Sequence, residues 1–297
     1  MTGNAHGQWA LGKMYEAGLG IEKDYFEAAN MYRKAAIQGD SSAQTAIGTL
    51  YYFGKGVDQD YKKAASWFQI SVDKGDVKAQ SYLGYLYHNG LGVTKNLEQS
   101  YKLYHLAALQ GDPIAQSNLG DLYIAGQGVK QDIQEALNWY RLAADQDYMV
   151  AQTHLGDIYY NGEGVKRDIK KAVYWYKKAA TNGEPIAQSN LGNLFNEGEG
   201  VNKDTKEAVK WYLLSAIQGN AGAQTSLGYM YFNGYGVTKN TVLAYMWEYF
   251  ASDIGSDVVL KNRDFYAQQL SDTQLAEAKK LAKVCADSNY KNCGLNY

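Results

Sequence analysis

Hydrophobic and polar positions repeat along this chain with a period of 36 residues. Within each period, apolar residues recur every three or four positions in two separate stretches, which is the spacing of one buried face of an α-helix. In the second period the two stretches are Ala43, Ile47, Leu50, Tyr51 and Ala64, Trp67, Phe68, Val72. The pattern therefore predicts a series of paired amphipathic helices stacked on one another.

One glycine, which we call the register glycine, keeps the phase of the repeat without insertion or deletion. Its seven copies are Gly12, Gly48, Gly84, Gly120, Gly156, Gly192 and Gly228. A glycine inside a helix costs roughly 1 kcal/mol relative to alanine, so its recurrence indicates a compensating contact. We expect the second helix to approach closely there through its aromatic pair, as in Trp67-Phe68.

Polar and glycine positions mark the helix ends. A Gly-x-Gly such as Gly54 to Gly56 closes the first helix, and an acid or amide such as Asp60 opens the second, where its side chain accepts bonds from free amides. A glycine such as Gly75 ends the second helix with a backbone conformation that branched residues avoid. Asp147 takes that place in one copy, and aspartate tolerates the conformation better than most residues.

The resulting spacing, Ala-Gln-x-x-Leu-Gly-x-x-Tyr, then Gly-x-Gly-Val-x-x-Asp, then Ala-x-x-Trp-Tyr-x-x-Ala-Ala, resembles the Sel1-like repeat, a relative of the tetratricopeptide repeat. The resemblance covers seven copies over residues 3–254. It implies an all-α fold, a right-handed α/α superhelix or solenoid of helix-turn-helix repeats. It also implies a non-enzymatic adaptor, like the exported Sel1-repeat proteins of intracellular bacterial pathogens that interact with host proteins.

The two ends of the chain depart from the repeat. Residues 255–297 lose the 36-residue phase and read as capping helices and a tail, with Ser271 to Gln274 opening the final helix. The chain starts at a repeat junction without a covering helix, so we expect further residues before it, a secretion signal among them. Cys285 and Cys293 fit a disulfide, which would favour a secreted or periplasmic location, and fit two reduced thiols equally well. A cytoplasmic location stays open.

Charge and hydropathy restrict the classes of partner that this chain can bind. The formal charge is only −2, with both signs dispersed, and nucleic-acid binding would need a basic face. No apolar run reaches the roughly 20 residues of a membrane span. We therefore expect a monomer that binds a protein or peptide, with no nucleic acid and no membrane span. The resemblance implies a host protein as that partner.

Residues for catalysis or metal binding are sparse. The four histidines have no H-x-x-H or H-E-x-x-H spacing and no neighbouring cysteine cluster, so we predict no metal site and no cofactor. His154 and Asp157 can share a helix face, and a surface polar pair explains them without catalysis. The recurring Gly-x-Gly follows a helix instead of a strand, which favours a turn over a phosphate loop.

Positions that vary between copies are the ones free to bind. In tetratricopeptide-like units the first helix lines the concave side, and by resemblance the inward positions lie three and two residues before the register glycine and one, four and five after it. We call these positions the slot face. Its predicted binding residues are Tyr82, Tyr85, His88, Asn89, Asn118, Asp121, His154, Asp157, Tyr160, Asn161, Asn190, Asn193, Asn196, Tyr229 and Asn233.

Asparagine and tyrosine dominate this set, and asparagine can donate to and accept from the main chain of an extended peptide. The first hypothesis is therefore a scaffold that holds a partner segment along the slot face, with a role in host-cell entry or vacuole traffic implied by the resemblance. The alternatives are a periplasmic accessory of cell-wall enzymes and, with less support, a β-lactam or cell-wall hydrolase.

Overall fold

The computed structural model describes residues 3–252, 255–288, 290 and 293. This part of the chain contains sixteen helices and no strand, which confirms the all-α prediction. The first helices of the seven repeats are α1 (Ala5–Ala17), α3 (Ser41–Phe53), α5 (Val77–Asn89), α7 (Pro113–Ala125), α9 (Met149–Asn161), α11 (Pro185–Glu197) and α13 (Ala221–Asn233). The second helices are α2 (Tyr25–Ile37), α4 (Tyr61–Val72), α6 (Leu97–Leu109), α8 (Ile133–Asp145), α10 (Ile169–Thr181), α12 (Thr205–Ala216) and α14 (Thr241–Ala251).

The helices form two compact units, residues 1–146 with α1 to α8 and residues 147–297 with α9 onward. Within each unit every first helix packs on the second helix of its own repeat, and each second helix packs on the next first helix. This arrangement of helix pairs is consistent with an α-solenoid. The handedness of the superhelix and the boundary at residue 254 stay predictions.

Capping side chains start the helices where the sequence predicts them. The Asp24 carboxylate accepts bonds from the backbone N–H groups of Phe26 and Glu27, and Asp60 accepts one from Lys63. At the C-terminal end of α3, Gly54 has a φ of 66° and donates its N–H to the Leu50 carbonyl. Asp147 has a φ of 61°, which confirms the backbone conformation expected for it.

The register glycine lies directly against the aromatic ring of its own second helix. A methyl group built on Gly48 would lie 2.7 Å from Cε1 of Phe68. On Gly156 it would lie 2.5 Å from Cε1 of Tyr176. The expected close approach is confirmed, and the contacting ring is the second member of the aromatic pair in each case.

The second glycine of the Gly-x-Gly has a separate role between repeats. A Cβ on Gly56 would lie 2.2 Å from the carbonyl carbon of Tyr25, which starts the second helix of the preceding repeat. Gly236 stands in the same relation to the Thr205 carbonyl oxygen, at 2.3 Å. The turn therefore needs glycine because one backbone rests on another.

The glutamine of the Ala-Gln phrase also joins successive repeats. Gln44 is buried, and its Nε2 donates to the carbonyl of Ala36 at 3.0 Å, near the end of the preceding second helix. Three further copies make the equivalent bond: Gln116 to Ala108, Gln188 to Ala180 and Gln224 to Ala216. Each of these carbonyls also accepts a backbone N–H, for Ala36 that of Gly39 at 3.0 Å, so the glutamine is its second donor and ties the first helix to the end of the preceding one.

Two helices follow the repeats, α15 (Asp257–Gln268) and α16 (Asp272–Asp287), and both pack on α14. Ser271 and Gln274 form the predicted capping box. A disulfide joins Cys285 to Cys293, and Tyr290 lies against Phe250 at 5.2 Å between ring centroids. Apart from residues 290 and 293, the tail predicted from 289 to 297 lies outside the described residues.

The seventh repeat replaces the aromatic ring by a carboxyl group. Glu248 is fully buried, and its Oε2 faces Gly228 with no hydrogen-bond partner. Its Oε1 accepts bonds from Nδ2 of Asn262 at 3.1 Å and from the Thr225 hydroxyl at 3.4 Å. Burial raises the pKa of the Glu248 carboxyl, and the bonds from Asn262 and Thr225 oppose this shift.

The glycine contact predicts the effect of adding one methyl group. Gly48→Ala should lower the free energy of unfolding by about 1–3 kcal/mol, because the Phe68 ring must shift and this outweighs the better helix propensity of alanine. Gly7→Ala in α1 is the matched control, since its Cβ would meet nothing within 4 Å. Urea unfolding of both variants measures the difference, and a Gly48→Ala protein as stable as the control would contradict the contact's role.

The buried carboxyl predicts a dependence of stability on pH. The pKa of the Glu248 carboxyl is raised in the folded protein. The stability that this carboxyl contributes is therefore complete below its pKa in the unfolded chain and is lost as pH rises through its pKa in the folded protein. Glu248→Gln stays neutral, so its stability relative to the parent should increase from pH about 4 upward, by about 1.4 kcal/mol for each unit of the shift. Denaturant unfolding across this range tests it. Glu277→Gln, at an exposed position of α16, is the control, and parallel profiles for all three proteins would contradict the assignment.

Candidate functional site

The slot face is part solvent-exposed and part engaged in packing. Tyr85 is 40% exposed and Tyr229 51% exposed, and Asn89, Asn161 and Asn193 are also exposed. These side chains reach the surface from the first helices, as a binding residue must.

Three predicted binding residues hold the tyrosine of their own repeat. The hydroxyls of Tyr140, Tyr176 and Tyr212 donate to Asp121 at 2.6 Å, to Asp157 at 2.7 Å and to Asn193 at 2.7 Å, respectively. The same tyrosine rings cover the register glycines. The acid or amide after the register glycine therefore has a structural role, and only its remaining polar atoms are available to a ligand.

In residues 147–297, Asp157 and Asn190 join two neighbouring first helices. Asn190 Nδ2 donates to Asp157 Oδ1 at 3.2 Å, on the same oxygen that accepts the Tyr176 hydroxyl. Burial raises the pKa of Asp157, opposed by the Tyr176 hydrogen bond and by the nearby His154. The sequence placed these residues on one face, and the structure brings them into direct contact.

A cavity of about 180 Å³ opens beside this pair, which we call the polar cavity. It is lined by Asp157, Tyr160, Tyr176, Asn190, Asn193, Leu194 and Glu197. Every lining residue except Leu194 and Tyr176 occupies a slot-face position. The polar cavity therefore lies on the predicted surface, between α9 and α11.

Two further slot residues of this unit, Tyr160 and Asn161, contact side chains of the turn that follows α9. The Arg167 guanidinium lies 5.2 Å from the centre of the Tyr160 ring, and Asn161 Nδ2 donates to Glu163 at 3.0 Å. His154 and Asn196 are half-buried. Asn233 at the end of α13 donates from its side-chain amide to the Tyr229 carbonyl at 2.9 Å, a hydrogen bond within its own helix.

The slot face of α13 is partly covered from within the chain. Phe232 packs against Tyr266 and Phe265 of α15, with ring centroids 4.9 and 5.4 Å apart. In this repeat α15 therefore covers the slot face at Phe232, while Tyr229 stays exposed.

In residues 1–146, tyrosines form an aromatic cluster on the slot face. Tyr82 stacks on Phe68, with centroids 5.1 Å apart and planes 7° from parallel, and Tyr52 lies 5.5 Å from Tyr82 and 6.1 Å from Tyr85. Burial raises the pKa of Tyr82 and lowers that of His88, with Lys95 contributing to the second shift. Asn118 is half-buried, and Asn89 donates to the Tyr85 carbonyl.

A second cavity, of about 580 Å³, lies in this unit, and we call it the aromatic cavity. Its lining residues are Trp9, Lys13, Glu16, Tyr32, Ser42, Thr45, Ala46, Thr49, Gly75, Asp76, Val77, Lys78 and Tyr82. Only Tyr82 belongs to the predicted binding set. Six further lining residues occupy slot positions of the first two repeats, which the predicted set leaves out: Trp9, Lys13, Glu16, Thr45, Ala46 and Thr49. Ala46 and Thr49 are smaller than their counterparts in the next four copies.

The described residues contain no group of three or more histidine, cysteine, aspartate or glutamate side chains arranged to hold a metal ion. Over the same residues, none of the helices combines the length and the apolar character needed to cross a bilayer.

Comparisons with known proteins identify the repeat. The Sel1 repeat family model matches residues 5–40, 41–76, 77–112, 113–148, 150–184, 185–220 and 221–255. A Sel1 repeat protein from Oxalobacter formigenes is 34% identical, with a TM-score of 0.73 over 90% of this chain and 76% of that one. The protective antigen c5321 of uropathogenic Escherichia coli is 31% identical, with a TM-score of 0.45 over 97% and 78%. A search of curated proteins found no match. The chain belongs to the Sel1 repeat family.

Proposed function

We propose that the slot face binds an extended segment of a partner protein. Sel1 repeats generally mediate protein–protein interactions, and the location of the interaction on this chain is the new element. The observation that carries the proposal is that both units have a cavity between neighbouring first helices, lined mainly by slot residues. Clefts with a few placed polar groups are the usual form of a binding site.

The amides beside the polar cavity suit a peptide main chain. Asn190 uses its Nδ2 to bond Asp157, so its Oδ1 is the atom that can accept a bond from a ligand. Asn193 uses its Oδ1 to accept the Tyr212 hydroxyl, so its Nδ2 is the atom that can donate. A peptide group needs one acceptor for its N–H and one donor for its C=O, and this pair offers both.

Tyr160 and Tyr229 add contact area on the same unit's slot face. Tyrosine contributes a large flat surface with a polar tip and few rotatable bonds, which favours recognition of another protein. The partner's sequence would be set by which of its side chains fit the cavities, while its main chain is held by the asparagines.

The proposed location is outside the cytosol. The Cys285–Cys293 disulfide supports it, because disulfides persist in oxidising compartments. A host protein as partner, in cell entry or vacuole traffic, is the finer form of the proposal, and an envelope protein of a periplasmic enzyme system is its alternative. The family resemblance alone supports the choice of a host partner.

A hydrolase is the weaker alternative. Sel1 repeat proteins are generally non-enzymatic scaffolds. Oδ1 of Asp157 accepts hydrogen bonds from the Tyr176 hydroxyl and the Asn190 amide, so this oxygen has a structural role. Turnover of a β-lactam or cell-wall substrate that disappears in His154→Ala would favour the enzyme over the scaffold.

The test is a peptide selection on the intact chain. A displayed random-peptide library should yield binders, and Asn118→Ala combined with Asn190→Ala and Asn193→Ala should weaken them by about tenfold to a hundredfold, since several polar contacts are lost together. Calorimetry of the selected peptides against both proteins measures the change. Circular dichroism melting of the variant checks that loss of the Tyr212 acceptor leaves the fold intact.

The matched control removes three exposed asparagines elsewhere: Asn138 on α8, Asn182 at the end of α10 and Asn202 in a turn. This triple alanine variant should bind the peptides as the parent does. Equal affinity of both triple variants, or a selection that yields no binder, would contradict the proposal.

A further inference from the structure

We propose that the aromatic cavity binds an aromatic side chain of the partner segment, held between Trp9 and Tyr82. This inference rests on the proposed function, because it names the anchor by which the first unit would hold that segment. It adds a site that the slot-face asparagines do not provide, in a region where the predicted binding residues are few.

The cavity exists because two slot positions are occupied by small residues. At two places before the register glycine, α3 has Ala46, and the next four copies have Tyr82, Asn118, His154 and Asn190. At one place after it, α3 has Thr49, and the next four copies have Tyr85, Asp121, Asp157 and Asn193. A large side chain at either position of α3 would fill the space between α1 and α5.

The walls favour a flat apolar group. Trp9 on α1 and Tyr82 on α5 stand at opposite sides of the small floor formed by Ala46 and Thr49, and Val77 adds an aliphatic surface. Tyr82 is held in place because it stacks on Phe68. Aromatic groups prefer offset-stacked or edge-to-face contacts with other rings, and such pairs add about 0.5–1.5 kcal/mol beyond the area they bury.

Charges around the cavity favour a neutral ligand. Two lysines and two acids line it: Lys13, Lys78, Glu16 and Asp76. The Lys13 ammonium lies 4.8 Å from the centre of the Trp9 ring, so a cationic ligand would be repelled there. Glu16 accepts the Tyr32 hydroxyl and Asp76 accepts the Ala79 N–H, so both carboxylates are engaged.

The volume of the aromatic cavity suits one side chain of the partner segment together with the adjoining main chain. A volume of about 580 Å³ falls within the usual range for small-ligand pockets and exceeds the need of one indole ring. The Thr45 hydroxyl in the floor is paired with Ser71 at 2.7 Å, so the floor offers packing more than hydrogen bonding. The indole or phenyl group of a tryptophan, tyrosine or phenylalanine is therefore the best match.

The experiment titrates three probes into the intact chain and follows backbone amide signals by NMR. The probes are N-acetyl-L-tryptophanamide, the cationic N-acetyl-L-lysinamide and the anionic α-amide of N-acetyl-L-glutamic acid. The tryptophan probe should shift the Ala46 and Thr49 signals with saturation on the order of millimolar, as expected for so small a ligand. The other two should bind at least about tenfold more weakly.

Two variants separate this site from non-specific binding. Ala46→Phe fills the cavity and should abolish the saturable shifts, while Ala276→Phe, at an exposed position of α16, is the matched control and should keep them. Trp9→Ala removes one wall without adding bulk and should weaken the tryptophan probe as well, which guards against misfolding of the filled variant. Melting curves of all variants verify the fold.

Equal binding of the lysine probe, shifts that lie outside the cavity, absence of saturable binding, or unchanged binding in Ala46→Phe would each overturn the inference. Its failure is distinct from failure of the proposed function. Peptides that are selected on the chain and depend on the slot-face asparagines, but lack aromatic anchors, would leave the proposed function in place and remove only the anchor.

Discussion

The contact between the register glycine and the aromatic ring of the second helix is the constraint on which the first six repeats depend. A methyl group on Gly48 would overlap Phe68, and the same holds for Gly156 and Tyr176. The glycine costs roughly 1 kcal/mol of helix propensity, while burial of a ring of about 150–250 Å² contributes about 4–6 kcal/mol at 25 cal/mol per Å². Packing therefore outweighs propensity, which explains why glycine recurs at this position.

The same ring connects the core to the slot face. In three repeats its hydroxyl reaches the acid or amide that follows the register glycine, as Tyr176 reaches Asp157. A slot position that varies between copies is thus partly engaged by a hydrogen bond to the tyrosine of its own repeat, and is not wholly free for binding. Binding capacity remains in the atoms that this bond leaves unused and in the spaces between neighbouring first helices.

Much of the fold could be predicted from the sequence, because the signals are local and repeated. Helix pairs, their caps, the glycine contact and the final capping box follow from spacing alone. The Tyr176–Asp157 bond could not be predicted, since it depends on how two helices are aligned. Ala46 and Thr49 gave no signal because a cavity arises from missing bulk, and Glu248 was overlooked because one substitution in a regular slot does not disturb the pattern. A comparison of residue size between copies would have found all three positions.

The partner segment is proposed to lie along the first helices, and site-specific photocrosslinking tests this placement. p-Benzoylphenylalanine would replace Tyr85 or Tyr229 on the slot face, and Leu106 or Tyr174 on the second helices, all four being exposed positions. With a peptide obtained from selection on the intact chain, crosslinks from residues 85 and 229 and none from 106 and 174 are predicted. Crosslinks from the second helices, with none from the slot face, would contradict this placement.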